Sequence, residues 1–234
     1  MTSDLSFESG GRAVPLDIRI SARARSLRLR VDPRTGQVSL TVPRRVSRRR
    51  ALEWAGQHRA WIETQLARIE PAASLEPGAT VPLRGIDHVI DWSQERPRTI
   101  RIEAGRLLVG GPRDNLEARL VRWLRRHAAE TLAEETRFFA GKAGVTVIRV
   151  GVGETRSRWG SCSSSGSIRY SWRLILAPDW VRQATVAHEV AHRVHMNHGP
   201  DFHALVETLL GVDPKPARLW LRRHGAGLHR IAPA

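Results

Sequence analysis

The sequence predicts an α+β chain on three observations. Its first half is a succession of short runs in which apolar and polar residues alternate, as in half-buried strands. Its second half carries apolar residues at helical spacing. His188-Glu189-Val190-Ala191-His192 falls on one of those helical segments. The chain reads as an N-terminal β-rich domain, residues 1–112, with one helix at 47–69, and a second domain, residues 113–234, built around that motif.

Leu16, Ile18 and Ile20 alternate with polar residues and mark the first strand. Leu27, Leu29 and Val31 mark the next, Asp32-Pro33-Arg34-Thr35-Gly36 is a turn, and Val38, Leu40 and Val42 complete a hairpin that Pro43 ends. Ser47 is placed to cap a helix reaching Ile69, with Trp54, Trp61, Ile62 and Leu66 on its buried side. Pro71-Ala72-Ala73-Ser74-Leu75-Glu76-Pro77-Gly78 reads as a linker. Short strands follow near Val81–Leu83, His88–Trp92, Thr99–Ile102 and Leu107–Val109. A long helix is expected from Leu116 to Ala140, with Leu116, Leu120, Leu124 and Leu132 as its buried stripe. Strands are expected near Val145–Val150 and at Ile168–Leu176, joined by a polar loop over 154–166. Pro178 and Asp179 open the helix that carries the histidines. Further helices are expected at Asp201–Leu210 and Pro216–His224, with Ala226–Ala234 a loosely held tail and no internal repeat.

Composition narrows the function. The 234 residues are 41% hydrophobic, enough for a substantial core. No segment approaches the roughly 18 uninterrupted apolar residues of a membrane span, so no membrane partner is expected. The N-terminal residues lack the apolar stretch of a secretory signal. A single cysteine excludes an intramolecular disulfide and fits a cytoplasmic location. The net charge of +15 suits a polyanion partner. Nearly all of it is arginine spread along the chain, however, with Lys142 and Lys215 the only lysines. Nucleic acid is therefore read as a secondary partner rather than the primary one.

Two histidines four residues apart on a helix lie on one face, one turn apart. Two neutral imidazoles so placed can bind one zinc ion, with Glu189 beside it as general base. A third protein ligand would leave the fourth position open, as in a catalytic site. His198 is one candidate, and it requires the chain to turn, because ten further helical residues would carry it about 15 Å away. Asn197, Gly199 and Pro200 supply that turn. His203, from the next helix, is the other candidate, whereas His195 would strain a straight helix. Arg156, Arg158, Tyr170 and His203 are candidates for contacting substrate or the developing oxyanion. Cys162 has no base paired with it and reads as a structural thiol.

Taken together, the ordered run Arg158-Trp159-Gly160-Ser161-Cys162-Ser163, then Trp172-Arg173-Leu174, Pro178, His188-Glu189-Val190-Ala191-His192 and Asn197-His198-Gly199-Pro200-Asp201-Phe202 resembles the YgjP-like metal-dependent hydrolases. These are related to the SprT-like zinc proteases of the zincin superfamily. Pro82-Leu83-Arg84-Gly85 and the segment ending in Trp61-Ile62 also fit the pattern. The resemblance implies a zincin-like (minigluzincin) C-terminal domain. It implies one zinc ion held by His188, His192 and His198, with Glu189 as catalytic base. It also implies that the strand at Ile168–Leu176 edges the cleft and pairs with an extended peptide. The expected function is then a zinc-dependent metallopeptidase acting on a peptide or protein substrate. The alternatives are a metal-dependent nucleoside-triphosphate pyrophosphatase, which the arginines would suit, and a DNA-associated SprT-like protease.

Overall fold

A computed structural model describes residues 5–69, 73–155 and 158–232. The chain is α+β and divides into two compact units, Met1–Ala72 and Ala73–Ala234. The division falls inside the predicted linker and not at residue 112. The reason is packing: Leu75, Val81, Leu83, Ile90, Leu107 and Val109 share one core with Leu120, Leu124 and the helix bearing the histidines. The sheet they form therefore belongs with the second unit.

In the first unit, β1 (Ser6–Ser9), β2 (Arg12–Ser21), β3 (Arg28–Val31) and β4 (Val38–Pro43) form one sheet in the order β1-β2-β4-β3. β3 and β4 are the predicted hairpin, and β2 runs parallel to β4. Ser47 caps the following helix by accepting from the Arg50 N–H at 3.3 Å. The single helix expected at 47–69 is two, α1 (Arg48–Gln57) and α2 (Arg59–Ala67). The break at His58 has a local cause. Its Nδ1 bonds the Trp54 carbonyl at 2.8 Å, taking the acceptor a continuing helix would use, and Gly56 weakens the last turn. Ile62 and Leu66 are buried as expected, but Trp61 is 46% exposed.

The second unit opens with β5 (Thr80–Leu83), β6 (Ile86–Ser93), β7 (Arg101–Glu103) and β8 (Arg106–Gly110), in the order β5-β6-β8-β7. β6 is parallel to β8, and the other pairs are antiparallel. This repeats the strand order and strand senses of the first sheet, a duplication of topology that the sequence does not display. The long helix α3 (Leu116–Ala143) follows, with Leu116, Leu120, Leu124 and Leu132 buried as predicted. It ends at Gly144, where the Gly144 and Val145 N–H groups bond back to Gly141 and Ala140.

A third sheet, in the order β10-β11-β9, contains β9 (Arg149–Gly153), β10 (Gly160–Cys162) and β11 (Ser167–Ser171). The strand predicted over Ile168–Leu176 stops at Ser171 and becomes a 3-10 turn, Trp172–Leu176. Every residue of that turn is buried, and a continuous buried apolar run has no period by which to tell strand from helix. Three helices complete the unit: α4 (Asp179–Ala191), α5 (Pro200–Leu210) and α6 (Lys215–Arg230). The last runs well past His224, and the expected loose tail is anchored as far as Ala232. Arg173, 1% exposed, donates to the carbonyls of Ile231 and Ala232 and ion-pairs with Glu154 at 2.8 Å. No helix among the described residues is long and apolar enough to cross a membrane.

Candidate metal centre and the pocket beside it

The helix α4 is fixed at its first turn before it delivers any functional group. Arg84 and Gly85 form the two-residue β5–β6 turn, with φ of 54° and 77°. The Arg84 and Gly85 N–H groups donate to Ile175 and Leu176 at 2.7 and 3.1 Å. A Cβ on Gly85 would stand 2.6 Å from Pro178, so only glycine lets the turn seat there. The Arg84 guanidinium then clasps Asp179, holding its carboxyl below the usual carboxylate range, with Arg182 contributing. Asp179 is thus the first helical residue rather than the predicted cap, and Pro178 stands in the cap position. Arg182, 1% exposed, reaches Glu135 of α3 through two bonds of 3.0 and 2.8 Å. These contacts set the axis along which the histidines emerge.

His188 and His192 leave the end of α4 one turn apart, with ring centroids 4.9 Å from each other. The chain then turns through 193–199 and enters α5 at Pro200. His198 returns from that turn, its Nε2 3.2 Å from the Nε2 of His188. One ligand atom from each of His188, His192 and His198 lies within 4.8 Å of the others. His192 Nδ1 bonds the His195 carbonyl at 3.0 Å, which turns Nε2 toward the cluster. The other candidate ligands take different places: His195 offers its carbonyl, and the His203 ring is exposed and 6.4 Å from that of His198.

Phe202 organises the three rings. It is fully buried, and its centroid lies 4.9, 4.5 and 4.8 Å from those of His188, His192 and His198. Burial, reinforced by the neighbouring histidines, pushes the His188 pKa down to about 4. The imidazole is therefore neutral, and its lone pair free for a metal, at physiological pH. The donor set is chemically apt. A tetrahedral zinc with Zn–N bonds of about 2.0–2.1 Å sets neighbouring nitrogens about 3.3 Å apart, close to the His188–His198 separation.

Glu189 is 5% exposed, and burial raises its pKa to about 7 against the opposing pull of Arg158. Its carboxylate rests on the backbone of Gly160: a Cβ there would stand 2.6 Å from both Cγ and Oε1 of Glu189. Gly160→Ala is accordingly expected to displace the carboxylate and lower any turnover that depends on it by roughly a hundred-fold while leaving metal uptake by the three histidines unchanged. Metal analysis beside a turnover assay checks this, and full activity would show that the carboxylate position is not set by Gly160. Trp159 packs on α6 at Gly225, where a Cβ would come within 2.7 Å of the indole. Gly225 is therefore a packing glycine inside a continuous helix.

A cavity of about 240 Å³ opens beside His188 and Glu189. Trp159, Ala184, Val206, Pro214, Ala217 and Leu221 give it apolar walls, and Arg158, His203 and Arg218 line it as well. Of the expected contact residues, Arg158 and His203 thus line the cavity, whereas Arg156 falls outside the described residues. Tyr170 does not reach the cavity. It is fully buried, its hydroxyl is 3.1 Å from that of Thr136, and burial pushes its pKa further up. Cys162 donates its thiol to the Ser163 carbonyl, and burial pushes the thiol up and away from the reactive thiolate against the opposing pull of Arg193.

The expected pairing strand is also corrected. β11 is flanked on both sides, antiparallel by β10 and parallel by β9, so it has no free edge. The strand beside Glu189 is β10, which pairs only with β11 among the described residues. Trp159 accepts from Ser171 and Ser163 donates to Ser167, so by alternation Gly160 and Cys162 turn their backbone groups outward. Gly160, Phe202 and Arg218 are positions at this site that spacing could not single out, since each comes to it through a contact distant in sequence. The only available signal was the presence of the first two in the ordered motif run.

A family model described as YgjP-like, metallopeptidase domain, matches residues 25–224. No curated protein and no solved structure matches the chain.

Proposed function

We propose, from the premise that this chain belongs to the YgjP-like metallopeptidase-domain family, that it is a zinc-dependent peptidase with a zincin-type arrangement of its HExxH helix. The observation that carries the reading is the convergence of His188, His192 and His198 beside a buried Glu189. Three imidazole ligands favour zinc over the hard cations, which prefer oxygen ligands. Zinc bound there would acidify water and polarise the scissile carbonyl.

The remaining work falls to the protein. Glu189, held on Gly160, accepts the proton of water as its oxygen attacks the carbonyl carbon, then passes that proton to the departing amine. A carboxyl pKa of about 7 in the metal-free site suits a group that both takes and returns a proton near neutrality. His203, on the cavity wall, is positioned to donate to the carbonyl oxygen as charge develops there. The outward groups of β10 offer an extended substrate a strand to pair with, which favours peptides over nucleotides.

The test is a screen of the zinc-loaded protein against unfolded proteins, peptides and nucleoside triphosphates, with Glu189→Gln as the blank. Peptide-bond cleavage above the blank is expected. Triphosphate hydrolysis without peptide cleavage would overturn the reading.

A further inference from the structure

The cavity beside Glu189 has one property that the hydrolysis itself does not require. Six of its walls are apolar, yet two exposed guanidinium groups, Arg158 and Arg218, also line it. Six arginines of this unit are matched with carboxylates: Arg84 and Arg182 with Asp179, Arg182 also with Glu135, Arg173 and Arg125 with Glu154, Arg96 and Arg106 with Asp91. Arg158 and Arg218 form no ion pair among the described residues. An apolar space bordered by two cations outside any ion pair, one of them only drawn at a distance toward the largely buried Glu189, recognises a molecule with an apolar body and an anionic group close to it.

We propose that the enzyme is a carboxypeptidase: the cavity takes a single apolar residue at the C-terminus of a peptide, and Arg158 and Arg218 hold its α-carboxylate. The proposal rests on the peptidase reading and adds which bond is cut. A C-terminal residue is where an apolar side chain and a carboxylate leave the same Cα, one bond from the amide that Glu189 serves. The size agrees, because about 240 Å³ falls below the roughly 300–1,000 Å³ of sites that enclose a drug-sized ligand. The rest of the substrate would run along the open edge of β10, whose Gly160 also lines the cavity. In the reaction, the oxygen of water bonds to the carbonyl carbon and the last C–N bond breaks. Glu189 moves one water proton to the leaving nitrogen, and the products are a peptide shortened by one residue and a free apolar amino acid.

The test compares pairs of short peptides that end in leucine or phenylalanine as the free acid or as the amide. Cleavage is read by mass spectrometry on the zinc-loaded enzyme. Binding is read by calorimetry on the Glu189→Gln variant, so that it does not depend on turnover. The acids are expected to bind and be cleaved at least about ten-fold better than the amides. Arg218→Gln, an exposed helix position, is expected to bring that ratio close to one. Equal handling of acid and amide by the unmodified protein, or an acid preference untouched by both Arg218→Gln and Arg158→Gln, would overturn the proposal. Cleavage at internal bonds with no acid preference would do so while leaving the peptidase reading intact. Acid-selective binding without any peptide cleavage would instead retain the pocket and refute the peptidase reading.

Discussion

Glu189→Gln is expected to abolish hydrolysis while the protein still binds its metal. The carboxylate follows His188 in the chain but is not one of the three converging side chains. Glutamine keeps its length and shape and so preserves the contact with Gly160. What it lacks is the capacity to accept a proton from water and return it to the amine. General base catalysis is worth about 10²–10⁴-fold, and a loss of that size in kcat is predicted. Folding should be unharmed, because burial already disfavours the carboxylate charge that the substitution removes. The decisive comparison is metal content, thermal stability and turnover on the same preparation. Turnover within a few-fold of the unmodified protein would remove Glu189 as the base.

Phe202→Ala is expected to carry the largest structural cost at the site. The ring is fully buried, and its removal opens a cavity where three imidazoles and the start of α5 meet. Phenylalanine-to-alanine changes in cores cost about 3–5 kcal/mol, a large share of the roughly 5–15 kcal/mol that holds a domain together. The same ring sets the orientation of all three histidines. Removing it is therefore expected to weaken zinc affinity roughly 10- to 100-fold, as losing an outer supporting contact does. Urea denaturation of the metal-free protein reads the first effect, and competition with a chromophoric chelator reads the second. A destabilised variant with unaltered affinity would mean that the imidazoles are placed by their backbones alone.

The features legible in the sequence were those that local geometry determines. His188 and His192 share a helical face because four residues make about one turn, and the return of His198 was signalled by Asn197, Gly199 and Pro200. The α3 stripe and the Ser47 cap are likewise local. What was not legible depends on partners far along the chain. The Ile168–Leu176 run gave no period, and only the structure shows it divided between a central strand and a 3-10 turn. The last helix was expected to end at His224, with a loosely held tail after it. Packing against Trp159 and the hold of Arg173 on the last carbonyls keep α6 helical to Arg230. Tyr170 looked like a polar candidate until its hydroxyl met Thr136. The assignment of the second sheet to the C-terminal unit, and its repetition of the first sheet's topology, follow from strand pairings that no short window contains.

The centre of the account is that His188, His192 and His198 hold one zinc ion, and metal analysis tests it most directly. Protein purified without chelator is expected to carry about one zinc per chain. After stripping, it should take up one equivalent again, and His198→Ala should fail to do so at comparable concentrations while His203→Ala succeeds. A protein that arrives metal-free and binds no zinc on titration would contradict it.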